Sequence, residues 1–315
     1  MELYDLVIIG GGPAGMSASL YASRGGLKVL MLDSMPGGKL NITSEIENYP
    51  GHGRVSGQSL ATDMLDSAMA FGAEHGFANV KEIKPGHVHE VVTTDDQVYQ
   101  AKAVIIASGT VERKMGIPGE ADYYGMGVSY CAVCDAAFFR NKQVMVIGGG
   151  STAFEDALYL SKFASSVKVV MRRDVSRAEQ VTQDRLNANE KIERLHFWEA
   201  TEIRGNGMNV VSVVLQNNQT GEVKEIETSA VFPLIGVDAN TVFIADLGIT
   251  ADDGFIRTNR KMETEIPGIF AAGDVRVKTL RQIVTATNDG AIAAESVNHY
   301  LDTWVEEEAV STILP

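Results

Sequence analysis

The chain has 315 residues, enough for two domains of ordinary size with substantial cores. A composition of 45% hydrophobic and 22% charged residues excludes a disordered chain. The 41 Asp and Glu against 27 Lys and Arg leave a formal charge of -14, which excludes a broad nucleic-acid surface while leaving room for a local basic pocket.

The start, Met1-Glu2-Leu3-Tyr4-Asp5, carries no basic segment and runs straight into Leu6-Val7-Ile8-Ile9, which reads as a buried strand rather than a secretory signal. No apolar run reaches the roughly 18 residues that span a bilayer, so a cytoplasmic protein with no membrane partner is expected.

Gly10-Gly11-Gly12-Pro13-Ala14-Gly15 follows that strand and opens a helical stretch to about Ser23; a second strand, Val29-Leu30-Met31-Leu32, ends at Asp33. Strand, glycine turn, helix and acidic strand end is the order of a dinucleotide site. Gly10 permits the tight turn, Gly12 lets the backbone approach a pyrophosphate, and Gly15 lets helix and strand pack closely. The helix N-terminus offers unpaired N–H groups to phosphate, and Asp33 is placed to accept from ribose hydroxyls.

Further on, helical apolar spacing covers Ser59 to Gly72, and Val88 to Val98 reads as strands. Val104 to Gly109 is another buried strand, whose small end residues, Ala107 and Gly109 among them, suit close approach to a nucleotide.

The first architecture then recurs. Val144 to Ile147 leads into Gly148-Gly149-Gly150-Ser151-Thr152-Ala153, a helix from Phe154 to Lys162 and the strand Val167 to Val170. Gly148, Gly150, Ser151 and Thr152 form the second nucleotide turn, with Ala153 small enough for the same helix packing. At the position matching Asp33 stands Met171, followed by Arg172, Arg173 and Arg177. A carboxylate that would repel a 2′-phosphate is missing, and fork-shaped donors suited to that phosphate replace it, so NADP(H) is expected. A solvated basic patch is the bland alternative. Two nucleotide sites in one chain suggest an electron relay between two cofactors.

Near the C-terminus Ile269 to Asp274 repeats the strand-then-small pattern, and a helix is expected from Arg281 to about Tyr300. The expected fold class is therefore α/β, with two Rossmann-like dinucleotide-binding domains, the second inserted into the first. Residues 1–115 and 246–315 would form one domain and 116–245 the other, jointed near Gly116-Ile117-Pro118 and Gly248. The run Glu306-Glu307-Glu308 reads as a solvated tail.

The only two cysteines lie in Cys131-Ala132-Val133-Cys134-Asp135. So short a loop would constrain little of the unfolded chain, and in a reducing compartment a redox pair is the better reading. Zinc normally needs four ligands; there is no second cysteine pair and no histidine at ligand spacing, so no metal is expected. Asp135 is either a helix cap or the proton donor to the dithiol, a role that would require burial to raise its pKa.

With these motifs in this order, the sequence resembles the bacterial low-molecular-weight thioredoxin reductases over essentially its full length. The resemblance rests on Gly10 to Gly15, Glu47-Asn48-Tyr49-Pro50-Gly51, Cys131 to Cys134, and the second glycine turn. It also rests on Arg172-Arg173-Asp174 with Arg177-Ala178-Glu179, and on Gly273-Asp274-Val275-Arg276 with Arg281-Gln282.

The resemblance implies a homodimer with FAD in the first domain and NADPH in the inserted one. Pro13, Ala14, Gly38, Lys39, Asn48, Gly273 and Arg281 would belong to the FAD site, with Asp274 near the ribityl and phosphate region and Gln282 and Ile283 near the ring. It implies that Cys134 lies next to the flavin, that Cys131 is more exposed and attacks a thioredoxin disulfide, and that Asp135 is the acid. It further implies rotation of the inserted domain. Phe138 and Phe139 would be either a thioredoxin docking surface or core.

This chain departs from the family pattern at Lys39 (usually Gln), Ala136 (usually Gly), Met171 (usually His) and Pro233. A reductase fed by NADH or by a reduced carrier protein, and one serving a peroxiredoxin-type partner, stay open. A ferredoxin- or flavodoxin-NADP reductase would not need the cysteines, and a flavin-binding redox sensor would not need two nucleotide sites.

Overall fold

The apolar run Leu3–Ile9 forms strand β1 in the computed structural model, which describes residues 2–43 and 45–305. The chain turns at Gly10, φ +107°, into helix α1 (Pro13–Arg24), where Pro13 sits at a position that needs no N–H donor. It continues through β2 (Val29–Leu32) to α2 (Gly57–Met69), capped by Ser56, whose hydroxyl accepts from Ser59 N–H. Strands β3 (Glu74–Gly76), β4 (Val80–Lys84), β5 (His89–Thr93), β6 (Val98–Ile106) and β7 (Thr110–Glu112) follow.

Next come α3 (Ala132–Asp135), β8 (Gln143–Ile147), α4 (Ser151–Leu160), β9 (Ser166–Met171), α5 (Gln180–Asn187) and β10 (Ile192–His196). Three antiparallel strands, β11 (Trp198–Gly205), β12 (Val210–Asn217) and β13 (Val223–Glu227), precede β14 (Ala230–Pro233) and β15 (Val237–Ala239). Strand β16 (Ile269–Ala271) and helix α6 (Ile283–Leu301) complete the described elements. Among the described residues no helix is long and apolar enough to cross a membrane. The Glu306-Glu307-Glu308 run lies outside them.

Two compact units result: Met1–Val111 with Asp238–Pro315, and Glu112–Val237. The first carries a sheet of order β3-β2-β1-β6-β5-β4. The far edge of β6 is shared, its first half with antiparallel β5 and its second half with parallel β16. Because side chains alternate faces along a strand, one apolar run serves two cores. Leu6 and Ile8 pack with Met16, Leu60 and Val297 on the helical face, while Val7 and Ile9 pack with Ile83, Ile244 and Val275 on the other.

The second unit repeats the plan with the parallel sheet β10-β9-β8-β14. Val144 and Val146 face Phe154 and Leu160; Met145 and Ile147 face Ile203, Val213 and Leu215 of the β11–β12 hairpin. Pro233, unusual by sequence, ends the edge strand β14, and the Leu234 N–H bonds the Ile147 carbonyl at 2.7 Å just beyond it.

The crossings between units fall at Val111/Glu112 and Val237/Asp238, earlier in the chain than the joints expected at Gly116-Ile117-Pro118 and Gly248. The short strands β7 and β15 pair with each other there. Met115 and Gly116 are already tied into the second unit, since their N–H groups donate to the buried Glu120 carboxylate at 2.8 and 2.6 Å. Gly248, at φ +70°, only ends a short 3-10 segment.

Candidate functional site

In the first unit the glycine turn works by exclusion. A Cβ on Gly10 would lie 2.4 Å from the Ala107 carbonyl oxygen, and one on Gly15 would lie 1.8 Å from the Gly10 oxygen. Neither a methyl at the turn nor one at the helix–strand contact can be accommodated. Gly12 differs: nothing lies within 4 Å of its Cβ direction, so the backbone there faces open space. Gly12 caps α1 with no side-chain hydrogen bond, leaving the helix N–H groups for a ligand.

The Gly11 N–H donates to the Asp33 carboxylate at the end of β2, and Met35 N–H donates to its other oxygen at 2.7 Å. Gly37 N–H bonds the Gly11 carbonyl at 2.7 Å, which brings Gly38 over Gly12. Gly109, at φ +67°, likewise faces open space.

The turn after β16 sits against this cradle, because a Cβ on Gly273 would meet the Ala14 Cβ at 2.7 Å. Asp289, on α6 and 6% exposed, holds the turn from below: it accepts from Gly273 N–H at 3.2 Å and from Arg276 and Lys278 at 2.8 Å each. Breaking so buried a pairing typically costs about 3–5 kcal/mol, so the turn is firmly held.

Arg281 donates to the Asp274 and Arg276 carbonyls, both at 3.2 Å. Asn48 donates to Gln282 at 3.1 Å, and Gln282 caps α6, whose first residue is Ile283. Residues far apart in sequence thus meet around one space. Burial pushes the Asp274 carboxyl above the usual aspartate range, against the pull of Lys278, Arg281 and Lys39. Its Oδ1 is buried without a hydrogen-bond partner. A buried, unpartnered acceptor beside a phosphate-type cradle fits the polyhydroxyl chain and pyrophosphate of FAD. Lys39, one of the departures, acts directly on that carboxylate.

In the second unit Cys131 and Cys134 form a disulfide, with Cα atoms 5.4 Å apart. Cys131 caps the short helix α3, and its Sγ accepts from Cys134 N–H at 3.1 Å; Cys131 N–H in turn donates to Ser129 Oγ at 3.1 Å. The resemblance implies that Cys131 is the more exposed cysteine. Here Cys131 is half-buried and Cys134 exposed, because Cys131 follows the buried Val128 and Ser129 while Cys134 rides the outer turn of α3.

Asp135 is half-buried rather than enclosed. Of the two phenylalanines, Phe139 packs edge-on against Phe232 at 6.0 Å, whereas Phe138 is 73% exposed.

Sequence reading missed the support of this pair. Glu120 accepts from Tyr130 hydroxyl at 2.6 Å, and Lys114 lies 3.7 Å from the centre of the Tyr130 ring. Burial opposes the Glu120 charge, but Tyr130 and the Met115 and Gly116 N–H groups hold its carboxyl below the usual range. The residue before Cys131 is therefore anchored. The one hint in sequence was an acidic residue next to a Pro-Gly turn.

Ala132 and Ala136 pack with Ala153, Phe154 and Ala157, so α3 sits on α4. The Ala136 departure fills a core site at 1% exposure. The α4 N-terminus is the second cradle. A Cβ on Gly148 would lie 2.2 Å from the Leu234 oxygen, while Gly150 faces open space and caps α4, which begins at Ser151 and Thr152, without a side-chain bond.

Met171 is buried beneath Gly149, 3.0 Å from its Cβ direction. Ser176 Oγ and Arg177 N–H both donate to the Gly149 carbonyl, at 2.8 and 3.3 Å, and so hold Arg177 beside the turn. Arg172, Arg173 and Arg177 are exposed, and none has an ion pair among the described residues. Uncommitted guanidiniums beside an open phosphate cradle fit the 2′-phosphate of NADPH. No group of three or more His, Cys, Asp or Glu poised to hold a metal occurs among the described residues.

Residues 4–290 match the pyridine nucleotide-disulphide oxidoreductase family. The chain is 47% identical over 302 residues to the thioredoxin reductase of Bacillus subtilis (strain 168), covering 96% of each. The crystal structure of Lactococcus lactis thioredoxin reductase matches with a TM-score of 0.93 at 46% identity, covering 95% of this chain and 99% of the other. That of T. acidophilum thioredoxin reductase gives 0.91 at 34% identity, covering 96% and 99%. Likeness of this extent shows that the chain belongs to the pyridine nucleotide-disulphide oxidoreductase family, in its low-molecular-weight thioredoxin reductase branch.

Proposed function

We propose that the chain is an FAD-dependent NADPH:disulfide oxidoreductase that reduces thioredoxin through the Cys131/Cys134 pair. The observation that carries this reading is the disulfide on α3 packed directly against α4, the helix whose N-terminus opens the second nucleotide cradle. The reading makes the protein a homodimer of the reducing cytoplasm, where a lone Cys-x-x-Cys pair cycles rather than staples.

FAD, when bound, supplies a carrier that accepts a hydride from NADPH and returns the electron pair to a disulfide. The chain's own residues do the rest. The open backbone at Gly12 and the α1 N-terminus hold the pyrophosphate, Asp33 a ribose, and Asp274 the ribityl hydroxyls. Gly150 and the α4 N-terminus hold the NADPH pyrophosphate, with Arg172, Arg173 and Arg177 on its 2′-phosphate. Cys131 thiolate attacks the thioredoxin disulfide, forming a mixed disulfide and releasing one thioredoxin thiolate. Cys134 thiolate then attacks Cys131 Sγ, expelling the second; Asp135, half-buried beside the pair, serves as acid once a docked partner encloses it. The exposed Phe138 offers an apolar contact beside it.

Anaerobic titration of the purified flavoprotein tests the reading. NADPH is expected to bleach the flavin absorbance at near-stoichiometric amounts, and NADH only in large excess. Flavin that stays oxidised with both nucleotides would overturn the nicotinamide part, and an NADH preference would overturn the role given to the arginines.

Asp274 yields a pH prediction. Its carboxyl titrates above the unfolded value, so the folded FAD-free protein binds the extra proton between the two pKa values and gains stability as pH falls through that window. Ribityl hydroxyls donate best to the ionised carboxylate, so FAD must displace this proton. FAD affinity is therefore expected to weaken as pH falls from neutral toward the ordinary aspartate range of about 4, and Asp274→Asn should flatten the dependence. Flavin fluorescence read against pH checks it; an equally steep curve in the variant would assign the effect elsewhere.

A further inference from the structure

Two consecutive peptide carbonyls in the arginine loop are tethered by side chains from elsewhere in the same unit. Asn218 Nδ2 donates to the Arg172 carbonyl at 2.9 Å, and His196 Nδ1 lies 3.3 Å from the Arg173 carbonyl oxygen. A carbonyl only accepts, so Nδ1 carries the proton in that contact. His196 ends β10 and is the direct partner of Met171 in the parallel ladder, which places it beside the point where β9 gives way to the arginines.

Asn218, in the turn after β12, is itself fixed: its N–H bonds the Phe197 carbonyl at 2.8 Å and its Nδ2 also reaches Glu199 at 3.2 Å. Phe197, between β10 and β11, adopts φ +67°, a left-handed conformation that a bulky residue takes at a cost. That bend carries the chain from His196 to the Phe197 carbonyl that anchors Asn218, so one strained residue serves both tethers.

We propose that His196 and Asn218 are positioning residues that set the preference for NADPH over NADH by holding the Arg172 and Arg173 backbone. The inference rests on the reading of these arginines as the 2′-phosphate site. Exposed arginine side chains lose rotamer freedom when they grip a dianion, and backbone freedom adds to that cost. Tethering both carbonyls removes the backbone share before the ligand arrives. The gain applies only to a ligand that the arginines touch. NADH, which lacks the 2′-phosphate, draws no benefit.

The test uses the full-length flavoprotein with His196→Leu, Asn218→Ala, His196→Asn, whose Nδ2 stands where Nδ1 donates, and Arg172→Ala as a reference. Calorimetric titration gives affinities for NADP+ and NAD+, and steady-state assays give KM and kcat with NADPH and NADH. Loss of one tether is expected to weaken NADP+ binding and raise KM for NADPH roughly 3- to 10-fold. NAD+ affinity and kcat should stay as in the parent, and His196→Asn should restore most of the NADP+ affinity. Equal losses for NADP+ and NAD+, no loss for NADP+, or failure of His196→Asn to restore would overturn the inference, since a merely structural tether would not discriminate between the nucleotides. If Arg172→Ala itself leaves NADP+ binding intact, the phosphate-site reading falls, and this inference falls with it.

Discussion

Cys131→Ser and Cys134→Ser are each expected to lower NADPH-dependent thioredoxin reduction by about a thousandfold or more. Both variants should stay yellow and still bleach with NADPH, because every residue assigned to FAD lies outside the second unit. The variants should differ in what they trap. Two effects compete in deciding which sulfur meets the partner. Exposure favours Cys134, which is open to solvent while Cys131 is half-buried. Electrostatics favours Cys131, whose Sγ receives the Cys134 N–H at 3.1 Å, a bond that stabilises a thiolate.

Attack requires the thiolate, and an amide bond to a charged acceptor is worth about 1.5–3 kcal/mol, whereas access can be supplied by modest local movement. The electrostatic effect is therefore expected to prevail. Cys134→Ser, with Cys131 as its only thiol, should accumulate a mixed disulfide on mixing with oxidised thioredoxin in the absence of nucleotide, Cys131 displacing one thioredoxin thiolate. Cys131→Ser should accumulate far less. Non-reducing gels and intact mass read the outcome, and the reverse pattern would transfer the attacking role to Cys134.

How much of this was legible in the sequence depends on the range of the interaction concerned. The glycine turns are local devices: Gly10, Gly15 and Gly148 each exclude a side chain for reasons set within a strand–turn–helix unit, and their spacing announced them. The missing carboxylate at Met171 and the arginines after it were equally local. What tertiary contact decides was not legible. Glu120 reaches Tyr130, Asp289 reaches Arg276 and Lys278, and Asn48 reaches Gln282 across 234 positions, none at a spacing that any local pattern encodes.

The β11–β13 meander also went unread. Val223–Glu227 is mostly exposed and rich in charge, so its alternation gives little apolar signal. The unit boundaries differ by several residues from the expected joints for a related reason. Gly116 and Gly248 do carry turns, but β7 pairing with β15 sets where one unit ends, and such pairing joins segments more than a hundred residues apart.

The contrast between Gly12 and Gly15 gives the other large prediction, since one cradle holds both an obstructed and an open glycine. A Cβ on Gly15 would lie 1.8 Å from the Gly10 carbonyl oxygen, a backbone atom with no freedom to rotate away. Gly15→Ala must lift α1 from β1, and α1 contributes the fully buried Ala18 and Ala22 and the nearly buried Met16 to the core. Overpacking of ordinary core sites costs about 1–3 kcal/mol, and a clash between backbone and helix belongs at or above the upper end.

A domain of modest stability would then lose much of its folding margin and its flavin together. Gly12→Ala meets nothing within 4 Å, and Gly12 already has φ −77°, which alanine adopts without strain. The FAD-free variant should therefore unfold at the parent's temperature or slightly above it, since alanine restricts the unfolded chain. Its methyl nevertheless enters the space through which the helix N–H groups reach a phosphate. Loss of one or two bonds to a charged group predicts FAD affinity weaker by roughly 10- to 100-fold. Thermal unfolding of the FAD-free proteins, with flavin titration of each, separates the two effects. A Gly12→Ala protein that binds FAD as tightly as the parent would show that the pyrophosphate does not lie over Gly12, and the assignment of this cradle would have to be abandoned.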